Sequence, residues 1–119
     1  MSVDDMLTPT GHERILSLRT RDRHSGEFVT HPLFFRRAGD RLVIAAANET
    51  ALYKPEWYLN LKEAPIVEIE MNGDTTFAVA TTPVGTERLK IWPLVEELSR
   101  DTERFLPRNV TGIVLTPME

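Results

Sequence analysis

Three groups of residues in this chain of 119 have the types and spacing to do chemistry. The first is Pro55, Trp57, Asn60 and Leu61. A proline suits the first position of a helix, because its fixed φ fits there and its missing N–H is not needed. A short helix is therefore expected from Pro55 to about Glu63, with Trp57, Asn60 and Leu61 on one face at i, i+3 and i+4 spacing. An indole beside an amide, next to the small-residue run Ala45-Ala46-Ala47-Asn48, suits one flat ligand. The same residues would equally serve as packing, with Asn60 capping a backbone group. The second group is Arg21 and Arg23 beside Ser25-Gly26, guanidinium groups suited to bidentate contact with phosphate or carboxylate. The third is the histidines, His12, His24 and His31. None stands at metal-ligand spacing to another or in a triad context, so no metal site is expected. His12 and His24 read as surface or hydrogen-bonded histidines. With 0 cysteines, thiolate chemistry, a Cys-based metal site and a disulfide framework are all excluded.

Charge narrows the partner. A net charge of −4 argues against nonspecific nucleic-acid binding, which needs a basic footprint. Between Arg14 and Arg41, however, seven arginines face Asp22, Glu27 and Asp40, so that segment is net +4 (7 minus 3) and the remainder −8. Arg36, Arg37 and Arg41 flank a turn and read as a solvated strand face, which leaves Arg21 and Arg23 as the anion candidates. The longest apolar run, Leu42 to Ala47, is far too short to span a bilayer, and no charged-then-apolar signal segment opens the chain. A cytoplasmic protein with a small-molecule substrate is the expectation.

The elements that must position these groups follow from periodicity. Residues 1–13 read as a flexible N-terminal arm and 14–119 as a single domain. Strands are expected at Arg14 to Thr20, Phe28 to Arg36, Arg41 to Ala47 and Val67 to Met71. Two more should run from Thr75 to Thr82, with Phe77 and Val79 on the core side, and from Asn109 to Thr116. Asn72-Gly73 is the best local turn signal, since both central positions of a type I′ turn need φ > 0. Ile91, Leu94, Val95 and Leu98 mark an amphipathic helix from about Thr86 to Arg100, in which Pro93 should cause a kink or a late start. Six strands, two helices and hairpin connections argue for an α+β protein built on an antiparallel sheet closed or half-closed on itself.

Read with Arg23-x-Ser25-Gly26 and Pro32-Leu33, the segment Pro55-x-Trp57-Tyr58-x-Asn60-Leu61 resembles the deazaflavin-dependent nitroreductase family. Those are small split β-barrels, flavin-reductase/pyridoxamine-phosphate-oxidase-like in fold, that bind the deazaflavin coenzyme F-420. The likeness covers about residues 14 to 117. It implies an oxidoreductase, of nitroreductase or quinone- or enone-reductase type, that moves hydride from reduced F-420 to an electron-poor organic substrate. By the resemblance, Arg23, Ser25 and Gly26 hold the coenzyme's phosphate. Pro32 and Leu33 face the pyrimidine edge, Ala45, Ala46 and Asn48 lie along the ring, and Trp57 and Asn60 close over the tail. His31, beside Pro32, becomes the candidate acid, and pairing into a homodimer is implied.

Asp22, Val29, Glu49 and Thr50 depart from the family pattern, and the last two replace its paired glycines. They motivate an alternative: a coenzyme-free barrel acting on a small molecule as an isomerase, cyclase or dehydratase, or as a binding protein. Flavin mononucleotide, which related barrels bind, is a further possible cofactor.

Overall fold

The computed structural model describes residues 15–47, 54–102 and 110–118. The expected arm at residues 1–13 lies outside them. The elements are β1 (Ile15–Arg21), β2 (Phe28–Phe34), β3 (Arg36–Ala38), β4 (Arg41–Ala47), α1 (Glu56–Glu63), β5 (Ile66–Met71), β6 (Asp74–Thr81), α2 (Gly85–Thr102) and β7 (Val110–Pro117).

All seven strands belong to one sheet in the order β2-β1-β5-β6-β7-β4-β3, every neighbour antiparallel. Its two edges, β2 and β3, are consecutive in the chain. Only Phe35 separates them, so the sheet has to curl until its edges meet. This is why the single strand expected over Phe28 to Arg36 is two: the extended chain exchanges β1 for β4 as its partner at Phe35, whose ring is buried at that corner. The result is a split β-barrel, as expected.

Strand alternation sorts the apolar residues into two layers. Leu42, Ile44 and Ala46 of β4, with Leu16, Leu18, Val67, Ile69, Ile113 and Leu115, fill the barrel interior, together with Trp57 and Leu61 from α1. Val43 and Ala47 of β4 and Val110 and Val114 of β7 face outward and are covered by Ile91, Val95 and Leu98 of α2. β4 therefore has cover on both sides, which explains its unbroken apolar run. Arg36 is no solvated cation: its Nε meets Glu97 of α2 at 2.9 Å and ties the β3 edge to the helix.

Three expectations need correction. Pro55 is the residue before α1 rather than its first helical position; its ψ of 152° is extended. α2 starts at Gly85, well ahead of Pro93, so there is no late start. On β6 the buried residues are Ala78 and Ala80, whereas Phe77 is 56% exposed. Asn72 and Gly73 do form the positive-φ turn, with φ of 53° and 87°. That turn pairs Met71 with Asp74, and therefore Val67 with Ala78 and Glu68 with Phe77. Directly paired residues share a face, so Phe77 follows Glu68 outward.

Candidate functional site

α1 is the wall shared by the two features that could hold a ligand. Its buried residues are Trp57, Asn60 and Leu61, the triplet expected on one face. Trp57 lines a half-open cavity of about 280 Å³ at the split of the barrel. Pro32, Leu33 and Phe34 of the β2 edge form one side of it, Ala45 and Ala47 of β4 the floor, and Leu98 and Ser99 of α2 the opposite side. Two alanines on alternate positions of one strand leave a flat strip that larger side chains would fill.

The strip is Ala45 and Ala47, not Ala45 and Ala46. Ala46 points into the barrel, fully buried with Trp57 and Leu61, because successive strand residues face opposite ways. Ala47, Leu98, Ser99 and Val110 were missed by sequence reading. Strand parity could have found Ala47, while Leu98 and Ser99 arrive from a helix remote in sequence. Asn48, with Glu49 and Thr50, lies outside the described residues.

The second feature is the loop between β1 and β2. Asp22 builds it: its Oδ1 accepts from the main-chain N of His24 and of Ser25, each at 2.8 Å. These two backbone donors, Ser25 first, hold the Asp22 carboxyl below the usual carboxylate range. The Ser25 Oγ accepts from the Glu27 N at 3.2 Å, and its hydroxyl adds to the hold on the Asp22 carboxylate. Gly26 has a φ of 81°, a conformation glycine adopts without Cβ strain. Arg21 to Gly26, together with Asn60 and Glu63, line a hollow of about 370 Å³.

Arg23 joins the two features. Its Nη1 donates to Asn60 Oδ1 at 2.8 Å and meets Glu56 Oε1 at 2.9 Å. The main-chain N of Arg23 also donates to Asn60 Oδ1, at 3.2 Å. Asn60, 1% exposed, passes its own Nδ2 on to Thr20 Oγ1 at 3.3 Å. Its amide is thus directed inward, at Arg23 and β1. Glu56, Trp57 and Asn60 span about one helical turn, roughly 6 Å of rise, so the cation and the aromatic wall are neighbours.

His31 stands across from Leu18 in the β1–β2 ladder, on the inner face with Leu33. It is not among the residues lining the alanine-floored cavity. Its Nδ1 is buried with no hydrogen-bond partner among the described residues. Lys54, just before α1, donates from Nζ to the Ala46 carbonyl at 3.1 Å, and desolvation lowers its pKa. A larger hollow of about 450 Å³ beneath the start of α2, with Arg41, Glu87 and Lys90 at its rim, contains none of the residues expected to form the site. Among the described residues no cluster of His, Asp or Glu is placed to hold a metal, and no helix is long and apolar enough to cross a membrane.

Comparison with known proteins gives a consistent picture. Residues 6–116 match the family model described as F420H(2)-dependent quinone reductase. The chain is 26% identical over 105 residues to a Mycobacterium tuberculosis protein provisionally named an F420H(2)-dependent quinone reductase, covering 86% of this chain and 88% of that one. A solved F420-H2 dependent reductase superposes with a TM-score of 0.65 at 23% identity, over 86% of this chain and 93% of its own. A Listeria innocua structure provisionally described as a pyridoxamine 5′-phosphate oxidase superposes at 0.63 and 15%, over 98% and 93%. The last two are likenesses of fold.

Proposed function

The chain belongs to the F420H(2)-dependent quinone reductase family, a deazaflavin-dependent oxidoreductase family, and we propose that it reduces a small electron-poor acceptor, of the quinone, enone or nitroarene class, with coenzyme F-420. The observation that carries this reading is that α1 presents Trp57 to an alanine-floored cavity and, within the same turn, Asn60 to Arg23. A planar ring with an anionic tail needs those two surfaces side by side.

The residues fit the coenzyme on two counts. Ala45 and Ala47 leave a strip of floor free of bulk, with Trp57 as a flat wall. Arg23 has Nη1 anchored, while no partner for its Nε and Nη2 donors occurs among the described residues, which leaves an edge of the fork for an oxyanion. His31 adjoins Pro32 of the cavity wall without lining the cavity itself, and its buried Nδ1 has no hydrogen-bond partner among the described residues.

When bound and reduced, the coenzyme supplies the hydride. In this reading Arg23, Ser25 and the Gly26 backbone hold the tail. Pro32 and Leu33 border the ring's polar edge, and Ala45 with Ala47 support its face. Trp57 and Leu98 exclude water from that end of the cavity. Asn60 acts through Arg23, fixing the guanidinium. His31 is the residue proposed to hold the proton delivered to the acceptor, solvent being the other source.

Homodimer formation belongs to the same reading. Phe28, Ile66 and Phe77 are each more than half exposed on the outward face of the sheet, apolar surface that a second copy would cover. Sedimentation velocity tests it: a monomer at micromolar concentration removes it. A cytoplasmic location is the accompanying expectation, tested by fractionation of the native host.

The experiment for the activity is a titration of F-420 fluorescence with protein. Quenching or a spectral shift saturating at micromolar protein is expected. An unchanged spectrum at saturating protein rules the coenzyme out.

A further inference from the structure

Three acceptor oxygens, one of them charged, converge on one nitrogen. The Arg23 Nη1 lies 2.8 Å from Asn60 Oδ1, 2.9 Å from Glu56 Oε1 and 3.5 Å from the Glu56 carbonyl oxygen. The two side-chain acceptors differ in kind. Asn60 is buried and has further bonds to the Arg23 main-chain N and to Thr20, so it fixes position. Glu56 carries a full charge on a side chain that is 65% exposed, against a guanidinium that is 15% exposed. Among the described residues its carboxylate meets only Arg23, the loop cation that is largely buried.

From this asymmetry we infer that Glu56 is a built-in counter-anion that weakens the loop's hold on an anionic ligand and so tunes which tails are retained. The inference rests on reading the Arg23 loop as the cradle for the coenzyme's anionic tail. Arg21 and Arg23 supply the loop's cationic character, and Asp22 is already engaged by backbone donors. With Glu56 and Glu63 beside them, the local balance is near neutral. Neutralising Glu56 leaves Asn60 to hold the guanidinium in place, so the gain in positive potential is not offset by loss of geometry. The charge also sets selectivity. Repulsion from Glu56 grows with the charge of the tail, so its removal should help a doubly charged tail more than a singly charged one.

The test compares the wild type with Glu56→Gln, with Glu56→Ala as a second variant and Glu87→Gln as a control that removes one negative charge remote from the loop. Two probes are used: oxidised F-420, by fluorescence titration, and inorganic phosphate, by the NMR shift of the Arg23 Nε–H. An exposed ion pair is worth up to about 1 kcal/mol, which corresponds to roughly fivefold in a dissociation constant. Glu56→Gln is therefore expected to bind both probes about two- to fivefold more tightly, with a steeper loss of affinity as salt is raised. Glu87→Gln should match the wild type. Unchanged or weaker phosphate binding in Glu56→Gln overturns the inference, as does an equal gain in Glu87→Gln. Failure of every variant to bind F-420 would instead overturn the coenzyme reading, while the phosphate measurement still decides the role of Glu56.

Discussion

Arg23 and Asn60 are joined twice, through the Arg23 main-chain N at 3.2 Å and its Nη1 at 2.8 Å, both to the one Oδ1 of Asn60. One buried amide thereby sets both the backbone of the β1–β2 loop and the direction of its largely buried cation. Replacing Asn60 with Leu keeps most of the volume and strands the Arg23 N–H and Thr20 hydroxyl. The expected cost is about 1–3 kcal/mol of folding stability, read as a lower urea midpoint at unchanged slope. Arg23→Ala should leave stability closer to wild type and instead weaken F-420 binding about tenfold or more, the loss of a charge-assisted hydrogen bond. An unchanged dissociation constant would remove Arg23 from the tail site.

Ala45 is half-buried on the cavity floor. A leucine there has open space to enter, so Ala45→Leu should fold with little change in melting temperature. Its side chain would occupy the strip required by a planar ring, and F-420 binding should fall at least tenfold, since an obstructed ring loses its wall and floor contacts together. Full affinity in this variant would mean that the ring lies elsewhere.

His31 can be separated from binding by a kinetic split. His31→Gln retains a polar side chain of similar reach but cannot deliver a proton. If His31 is the acid, kcat falls by about 100-fold or more with the dissociation constant for F-420 unchanged. A wild-type kcat assigns the proton to solvent.

Much of this arrangement was legible in the chain because local rules decide it. The α1 triplet followed from helical spacing, and β4 from its unbroken apolar run. What sequence reading missed was information carried by pairing. The Asn72-Gly73 turn was recognised, and its register already implies that Val67 opposes Ala78. Hydrophobicity alone drew Phe77 inward against that register. Ala46 rather than Ala47 came from the family resemblance, whereas strand parity puts Ala47 with Ala45. Leu98 and Ser99 reach the cavity through the packing of α2 on β4 and β7, which no local pattern encodes. Asp22 stood out only as a departure from the family pattern; in the fold its carboxylate is the loop's own cap.

That cap gives a pH signature. The Asp22 carboxyl is lowered from an ordinary value of 3.8 by the amides of Ser25 and His24. A carboxyl depressed in the folded state contributes its stabilisation above the unfolded value and loses it as pH falls through the lower, folded one. The loop should therefore stay ordered from neutrality down past 3.8 and open only below it. The amide resonances of His24 and Ser25 report this directly, with a titration midpoint below 3.8 expected. A midpoint at or above that value would show that the carboxylate is not bonded as described. At neutral pH Asp22→Asn, which keeps an acceptor oxygen, should preserve those resonances better than Asp22→Ala.

The cavity depends on how closely α2 sits on the sheet, and Gly112 sets that distance. A Cβ built at Gly112 would lie 2.7 Å from Val95 Cγ2 and 2.9 Å from Ile91 Cδ1. Both contacts are closer than side chains tolerate, and Val95 is fully buried with a stiff, β-branched side chain. Gly112→Ala gains about 0.4–1 kcal/mol from the restricted unfolded chain, but overpacking costs about 1–3 kcal/mol, so the balance is destabilising. A drop in melting temperature of several degrees is expected. Because α2 continues from Val95 to Leu98 and Ser99 at the cavity wall, the helix cannot shift away from Gly112 without moving that wall. F-420 affinity should therefore fall together with stability. Combining Gly112→Ala with Val95→Ala removes the closest clash, and the two changes should be far from additive, recovering part of both losses. Strict additivity, or a Gly112→Ala variant as stable as the wild type, would mean that α2 is not seated on β7 at this residue and that the cavity's far wall is set by something other than this contact.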